Sequence, residues 1–437
     1  MAADARLLSE LVPGRAEPPW LREARARGLA RFGELGLPTR KHEEWKYTNL
    51  SALAPLLAAP VAPAEAPRAG ALLVGAPRGG GPRLVFANGR YRADLSAPGA
   101  LPAGAIVAPL AEALAQAPER VRPHLGRLAP AGGEHAFAAL NAALFEDGAF
   151  VWLPPGARVE EAIEIVWLSD APGASAVVSP RLLLVAGEGV AAAVAEIFLG
   201  DGAGTYLVNA VAEAVLGEGA RVDHVRLQAE GGGALHLAAL HAEQAAGARL
   251  AAHQLALGAA LGRSEARVRL AGEGGEVALS GLYMASGAQL LDNVSLVEHA
   301  APRCTTSENY KGILDGKARG IFSGRIRVMP GAQKTQAYQM NSNLLLSEDA
   351  VVDTRPQLEI FADDVKCGHG GTVGQIDDTA LFYLRSRGLD LAQARALLIY
   401  AFAAEMVDLV RPAALRAGAR DLVAARLPVG ARLLEAA

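Results

Sequence analysis

The chain has 437 residues, 51% of them apolar and 20% charged, a balance that fits a folded chain of two or three structural regions and excludes a disordered one. The formal net charge is -4, from 42 basic and 46 acidic residues, which leaves no basic footprint for nucleic acid or an anionic membrane. Its two cysteines, Cys304 and Cys367, cannot staple so long a chain, so a reducing cytoplasm is the expected compartment.

Met1 to Ser9 carries Asp4 and Arg6 and no long apolar run, so it does not read as a signal peptide. Residues 1 to about 50 have a helical pattern, with Trp20, Leu21, Leu29 and Phe32 among Arg and Glu, until Pro38 breaks it. A dense run of charge and aromatics follows from Thr39 to Thr48. Residues 52 to 82, rich in Ala, Pro and Gly, read as a linker. Arg83 to Phe86 is a short strand meeting a turn at Asn88-Gly89, and 108 to 146 reads as helical again.

From about residue 150, short apolar runs alternate with glycine-centred turns. Gly156, Gly189, Gly219, Gly247, Gly275 and Gly331 open similar wording, most often Gly-Ala-Arg followed by Val or Leu. The spacing is 30 residues from Gly189 to Gly219, then 28, then 28 again, then 56, or two periods. A strand-rich repeat of this length predicts a β-solenoid, because a single coil cannot bury its own apolar face and must stack on its neighbours. Past residue 375 the texture turns helical. Asp377 or Asp378 caps one helix through Leu381, Phe382 and Leu384, which stops at Gly388. A second runs from about Asp390 to Val410, and its longest apolar run, 396 to 404, is too short to span a bilayer. The expected organisation is an N-terminal helical region with linker and short strands over 1–148, a mainly β solenoid core over 149–375, and a C-terminal helical region over 376–437.

The strongest chemical candidate is Lys366-Cys367-Gly368-His369-Gly370-Gly371. On a strand, residues two apart share a face, so Cys367 and His369 stand side by side with the thiolate and imidazole that iron, zinc or copper(I) accept. Lys366 and an imidazolium would favour the thiolate. The other reading is a buried thiol beside a surface histidine. Cys304 reads as a core cysteine, with a second-ligand role open if stacking brings it near Cys367. His224 and His253 sit five and six residues after their turn glycines, an offset that puts them on opposite faces. With His236, His241 and the Glu298-His299 pair they read as structural or solvated. Asp363-Asp364 and Asp377-Asp378 invite an acid–base reading, as in β-helix lyases and hydrolases, but adjacent strand residues face opposite ways, so turn and cap roles fit better. No P-loop, dinucleotide fingerprint or nucleophile elbow occurs in the chain. The Arg385-Ser386-Arg387-Gly388 corner is either a partner-binding end or ordinary cationic complement to a helix C-terminus.

Two stretches resemble a known family. Pro38 to Thr48 resembles the N-terminal signature of SufD proteins, and Ser323 to Asp408 resembles the core of the SufB/SufD iron–sulfur cluster assembly scaffolds. The latter includes Gln336-Ala337-Tyr338-Gln339-Met340-Asn341, Pro356-Gln357-Leu358-Glu359-Ile360, Asp364 to Gly370, and Leu381 to Gly388. Glycines flank His369 where SufB-type chains carry carboxylates, and Cys367 precedes them, which favours the SufD branch. The serine common in that branch between the Cys and the His is Gly368 here.

The resemblance implies a right-handed parallel β-helix between helical regions, and a non-catalytic scaffold subunit of the SUF system. It implies pairing with a SufB-type paralogue through the β-helix ends, with a homodimer as the form open to the isolated chain. It also implies docking of the ATPase SufC through the C-terminal helices, for which Leu381, Phe382, Tyr383, Arg385, Arg387, Leu398 and Phe402 are the expected residues. Cys367 and His369 are then this chain's contribution to a transient iron–sulfur cluster assembled at the interface. A reduced flavin is associated with such complexes, but the sequence carries no flavin motif.

Overall fold

The structure is a computed structural model that describes residues 8–427 apart from 13, 15–16, 59–64, 171–175 and 202–203. Alternating apolar residues need a second layer to bury them, and the chain provides it by coiling. One sheet stacks Arg83–Ala87, Ile163–Ser169, Ala191–Gly200, Arg221–Glu230, Arg249–Ala256, Glu276–Ala285, Thr305–Leu314, Gln336–Leu345 and Lys366–Gly374, all parallel. The other stacks Ala149–Leu153, Arg181–Ala186, Tyr206–Leu216, Ala234–Gln244, Leu261–Leu270, Leu290–His299 and Arg319–Val328, also parallel, and closes with Val351–Thr354 and Gln357–Ile360. Successive strands alternate between the sheets, so each coil adds one strand to each. This is a β-solenoid core with helical regions at both ends, as the repeat predicts.

Register explains the repeat. Val222, Leu250, Val277, Thr306, Ala337 and Cys367 stack in one inward column across six coils. The outward side of the same sheet is apolar as well. Val225, Leu227, Leu255, Leu282 and Ile313 are buried with Ile399, Ala403 and Met406 of the C-terminal helices. A sheet covered on both faces gives nearly continuous apolar strands, which is why the sequence shows runs there as much as alternation.

The coil corner needs a left-handed residue, and glycine supplies it at Gly156, Gly189, Gly219, Gly247 and Gly274, with φ between 62° and 74°. Each corner's N–H donates to a carbonyl of the next coil, Gly219 to Ala246 and Gly247 to Glu273. Two assignments from the sequence shift here. Gly274, not Gly275, takes the corner, and in the last coils Arg303 (φ 58°) and Lys334 (φ 61°) replace glycine, so Gly331 is not a corner.

The N-terminal helix α1, Pro19–Leu35, crosses α2, Ala136–Leu144, so closely that a Cβ on Gly28 would lie 2.6 Å from the Ala139 carbonyl oxygen. Residues 52–82, read as a linker, hold two short helices, Leu53–Ala58 and Ala69–Val74; Leu53, Leu56 and Leu57 are buried against the second sheet. The strand at Arg83 turns back at Asn88-Gly89, both with positive φ, into Arg90–Tyr91. The Thr39–Thr48 run clamps this region to the second sheet: Arg263 lies over the Trp45 ring at 3.7 Å, Glu44 pairs with Arg267, and the Thr48 hydroxyl donates to Asp292.

Three helices follow the solenoid. α3 is Asp378–Ser386, with Asp377 accepting the Thr379 N–H as N-cap, and Gly388 at φ 97° lies just past its end. α4 is Leu391–Val407, opened by a capping box between Asp390 and Gln393. α5 is Ala413–Ala424; the end of the Arg- and Leu-rich tail, 428–437, lies outside the described residues. Among the described residues no helix is long and apolar enough to cross a membrane.

Candidate functional site

Lys366–Gly374 is the last strand of the first sheet. It pairs with Gln336–Leu345 on one side only, Ala337 to Cys367 and Gln339 to His369, and its other edge carries unpaired backbone groups. The second sheet ends beside it in Val351–Thr354 and Gln357–Ile360. The solenoid is therefore open here, and a bare strand edge is a template for another strand.

Period-two alternation puts Cys367 and His369 on the inward face, in the same columns as buried Ala337 and Gln339. Cys367 is half-buried and packs on the solenoid core, while His369 is exposed at the rim. The expected side-by-side placement holds. The expected thiolate does not: burial pushes the Cys367 thiol up, although the backbone at Ala337 offsets part of this. Lys366, one residue earlier, faces the opposite way and is exposed. Among the described residues, no three His, Cys, Asp or Glu side chains converge on a metal position.

Gly368 and Gly370 face outward. They leave Tyr338 and Met340 of the preceding strand uncovered, at 52% and 44% exposure. Val351, Ile360, Phe361 and Val373 of the last coil are exposed as well. Sequence reasoning missed these exposed side chains; the signal for Tyr338 and Met340 was their register with two glycines.

Cys304 is fully buried, its thiol donating to the carbonyls of Gly272 and Pro302, and burial raises its pKa. It lies two coils from the last strand, roughly 10 Å along the stack, so it does not join Cys367. His224 faces inward, 2.9 Å from Glu196, while His253 stands one register step over and bonds Ser280. His236 meets Glu230 and the Phe198 edge, and His299 contacts Thr306 and Thr335. These four are buried and held by the fold; none is solvated. Asp377 is a cap, and Asp363 and Asp364 lie exposed in the bend before the last strand.

α3 has no buried residue. Phe382 and Tyr383 are 74% and 55% exposed and Leu381 is half-buried; Arg385 and Arg387 are exposed, and Arg387 donates to the Tyr383 hydroxyl at 2.9 Å. Leu398 and Phe402 on α4 are half-buried. Phe402 is already engaged, its ring 4.3 Å from the Lys311 ammonium and packed on the solenoid flank.

The fold is a stacked two-sheet β-solenoid with an open end, followed by a helix, α3, that buries none of its residues. The chain belongs to the SufBD family: residues 168–402 match the SUF system FeS cluster assembly SufBD core domain, and residues 82–165 match the SufBD protein N-terminal region. It is 33% identical over 403 residues to an iron–sulfur cluster assembly SufBD family protein of Synechocystis, covering 90% of this chain and 88% of that one. It is 32% identical over 402 residues to the iron–sulfur cluster assembly protein SufD of Escherichia coli, covering 91% of each. A 105-residue stretch, 23% of this chain and 24% of the other, is 41% identical to SufD of Bacillus subtilis. The chain is thus a SufBD-family scaffold in iron–sulfur cluster assembly, a family role that is non-catalytic.

Proposed function

We propose that this chain is the SufD-type subunit of a SUF assembly complex. Its open solenoid end pairs with a SufB-type paralogue, and iron and sulfide, the substrates, are joined where the two ends meet. The observation that carries this reading is the inward thiol–imidazole pair, Cys367 and His369, on a strand with one bare edge. Two soft ligands on one chain need further ligands from another, and a bare edge beside exposed Tyr338 and Met340 supports close approach by a second sheet. The flanking glycines remove side chains that would hold the partner away. In the isolated chain the same edge supports a homodimer.

The docking surface for a SufC-type ATPase is α3, with Leu381, Phe382, Tyr383, Arg385 and Arg387. Leu398 and Phe402 support it from α4 and are less available. Nucleotide turnover belongs to that partner, which agrees with the absence of a P-loop from the sequence.

The experiment is co-purification of the tagged chain with its SufB- and SufC-type partners, followed by anaerobic iron and sulfide analysis. A ternary complex that gains iron and sulfide, and loses that gain with Cys367→Ser and His369→Ala, supports the reading. A complex that assembles clusters equally well in both variants reduces the chain to an anchor for the ATPase.

A further inference from the structure

A cleft of about 430 Å³ lies far in sequence from the open end, between the outer face of the second sheet, the start of α2 and residues 35–45. His135, the residue preceding α2, and His241, on the strand Ala234–Gln244, both line it. Their ring centroids are 5.9 Å apart with planes inclined at 56°. His241 is 6% exposed, and neither imidazole is hydrogen-bonded to a described residue. A buried imidazole normally finds a partner; these two line the cleft instead.

The distance has a chemical meaning. Two imidazoles that share one ion, each nitrogen about 2.1 Å from it, bring their ring centroids to roughly 5–6 Å. The wall carries four carboxylates, Glu43, Glu44, Glu134 and Glu265, and the guanidiniums of Arg263 and Arg325; Glu43 pairs with Arg355, Glu44 with Arg267 and Glu265 with Arg263, so among the described residues Glu134 is the wall carboxylate without an ion pair. Arg267 pairs with Glu44 and Glu265, and its charge still reaches both imidazoles. Burial, helped by Arg267, holds both histidines below the usual range, His241 at about 4. Their lone pairs are free of protons near pH 7, the form a metal requires.

We propose that His135 and His241 form a two-imidazole site for a divalent first-row transition-metal ion, with water filling the remaining positions. Imidazole nitrogen suits iron, zinc and cobalt alike, so the ion's identity follows availability. The site is independent of Cys367 and His369.

The test uses the full chain carrying Cys367→Ser and His369→Ala, so that the open-end pair cannot contribute. Cobalt(II) is titrated at pH 7.5 and followed by its visible absorption and by equilibrium dialysis. One bound equivalent is expected. His135→Ala weakens it by roughly tenfold or more, since even loss of a group behind a ligand costs about 10- to 100-fold. His241→Asn does the same and guards against a cavity effect, and thermal melts confirm that both variants fold. Absence of bound cobalt in the parent, or binding that neither substitution weakens, overturns the proposal.

Discussion

Cys367 stands in register over Ala337, a residue with no accessible surface, so its thiol points into an apolar column although its strand has no neighbour on the far side. Desolvation therefore keeps the thiol protonated near neutral pH. Alkylation of the isolated folded chain by iodoacetamide at pH 8 should be slower than that of a free cysteine peptide and should keep rising above pH 9. Intact mass should show a single adduct, because Cys304 is enclosed. Rapid labelling at pH 7 would mean that the thiolate is available before any partner arrives.

The corner residues make a second prediction. Gly219 and Lys334 occupy equivalent left-handed corners, at φ 63° and 61°, but a side chain there costs about 1–2 kcal/mol. Gly219→Ala should destabilise the chain by about 1 kcal/mol. Lys334→Gly should be neutral to stabilising by up to about 1 kcal/mol, the backbone relief being offset in part by the entropy of glycine in the unfolded chain. Urea melts of both variants decide it; equal losses in the two would show that the corners are not equivalent.

These corners also show where the sequence was legible. Six glycine-centred turns in the sequence pointed to the solenoid and its period, although only four of those glycines, Gly156, Gly189, Gly219 and Gly247, sit at corners, and the two-residue spacing of Cys367 and His369 pointed to their shared face. The Asp377-Asp378 pair announced its helix through cap chemistry, and Asp377 is the cap; the capping box at Asp390 was not read from the sequence. Arg303 and Lys334 could not be seen, because a left-handed backbone leaves no trace in a residue that rarely adopts it. The polar interior was hidden for a different reason. Glu196, His224 and Arg226 are buried together inside the coil, yet alternation alone cannot tell an inward polar residue from an outward one. His135 and His241 meet only because α2 lies across the second sheet.

The bare helix α3 separates stability from assembly. Phe382 and Tyr383 bury little surface in the isolated chain, so Phe382→Ala with Tyr383→Ala should change its stability by no more than about 0.5 kcal/mol. The same double substitution should abolish co-purification with a SufC-type partner, because exposed aromatics at an interface carry a large share of its energy. Phe402→Ala should behave in the opposite way. It removes packing against the solenoid flank and the Lys311 contact, so the melt should fall first. Retained partner binding by the α3 double variant would move the docking surface elsewhere.

Glu308 predicts an unusual pH dependence. Its carboxyl lies inside the coil, accepts the Ser295 hydroxyl at 2.8 Å and faces Gln339 and Tyr310, a tyrosine that also feels the Arg226 charge. Burial pushes it up to about 7, with Ser295 and Gln339 offsetting only part of this. In the unfolded chain it ionises near the ordinary glutamate value, so between about pH 4.5 and 7 the folded chain holds a proton that the unfolded one has lost. Stability therefore falls as pH rises through that window, by about 3 kcal/mol in all, and stays flat above it. Glu196 acts in a separate window. Burial opposes its charge, but Arg226 and His224 win and hold it at about 2, so its contribution is lost only as pH falls below about 4.5. Glu308→Gln keeps the shape and removes the proton. It should match the parent near pH 5 and exceed it by about 2–3 kcal/mol at pH 8 in denaturant melts. Parallel stability curves for the two proteins between pH 5 and 8 would show that Glu308 ionises in the folded chain as easily as in water.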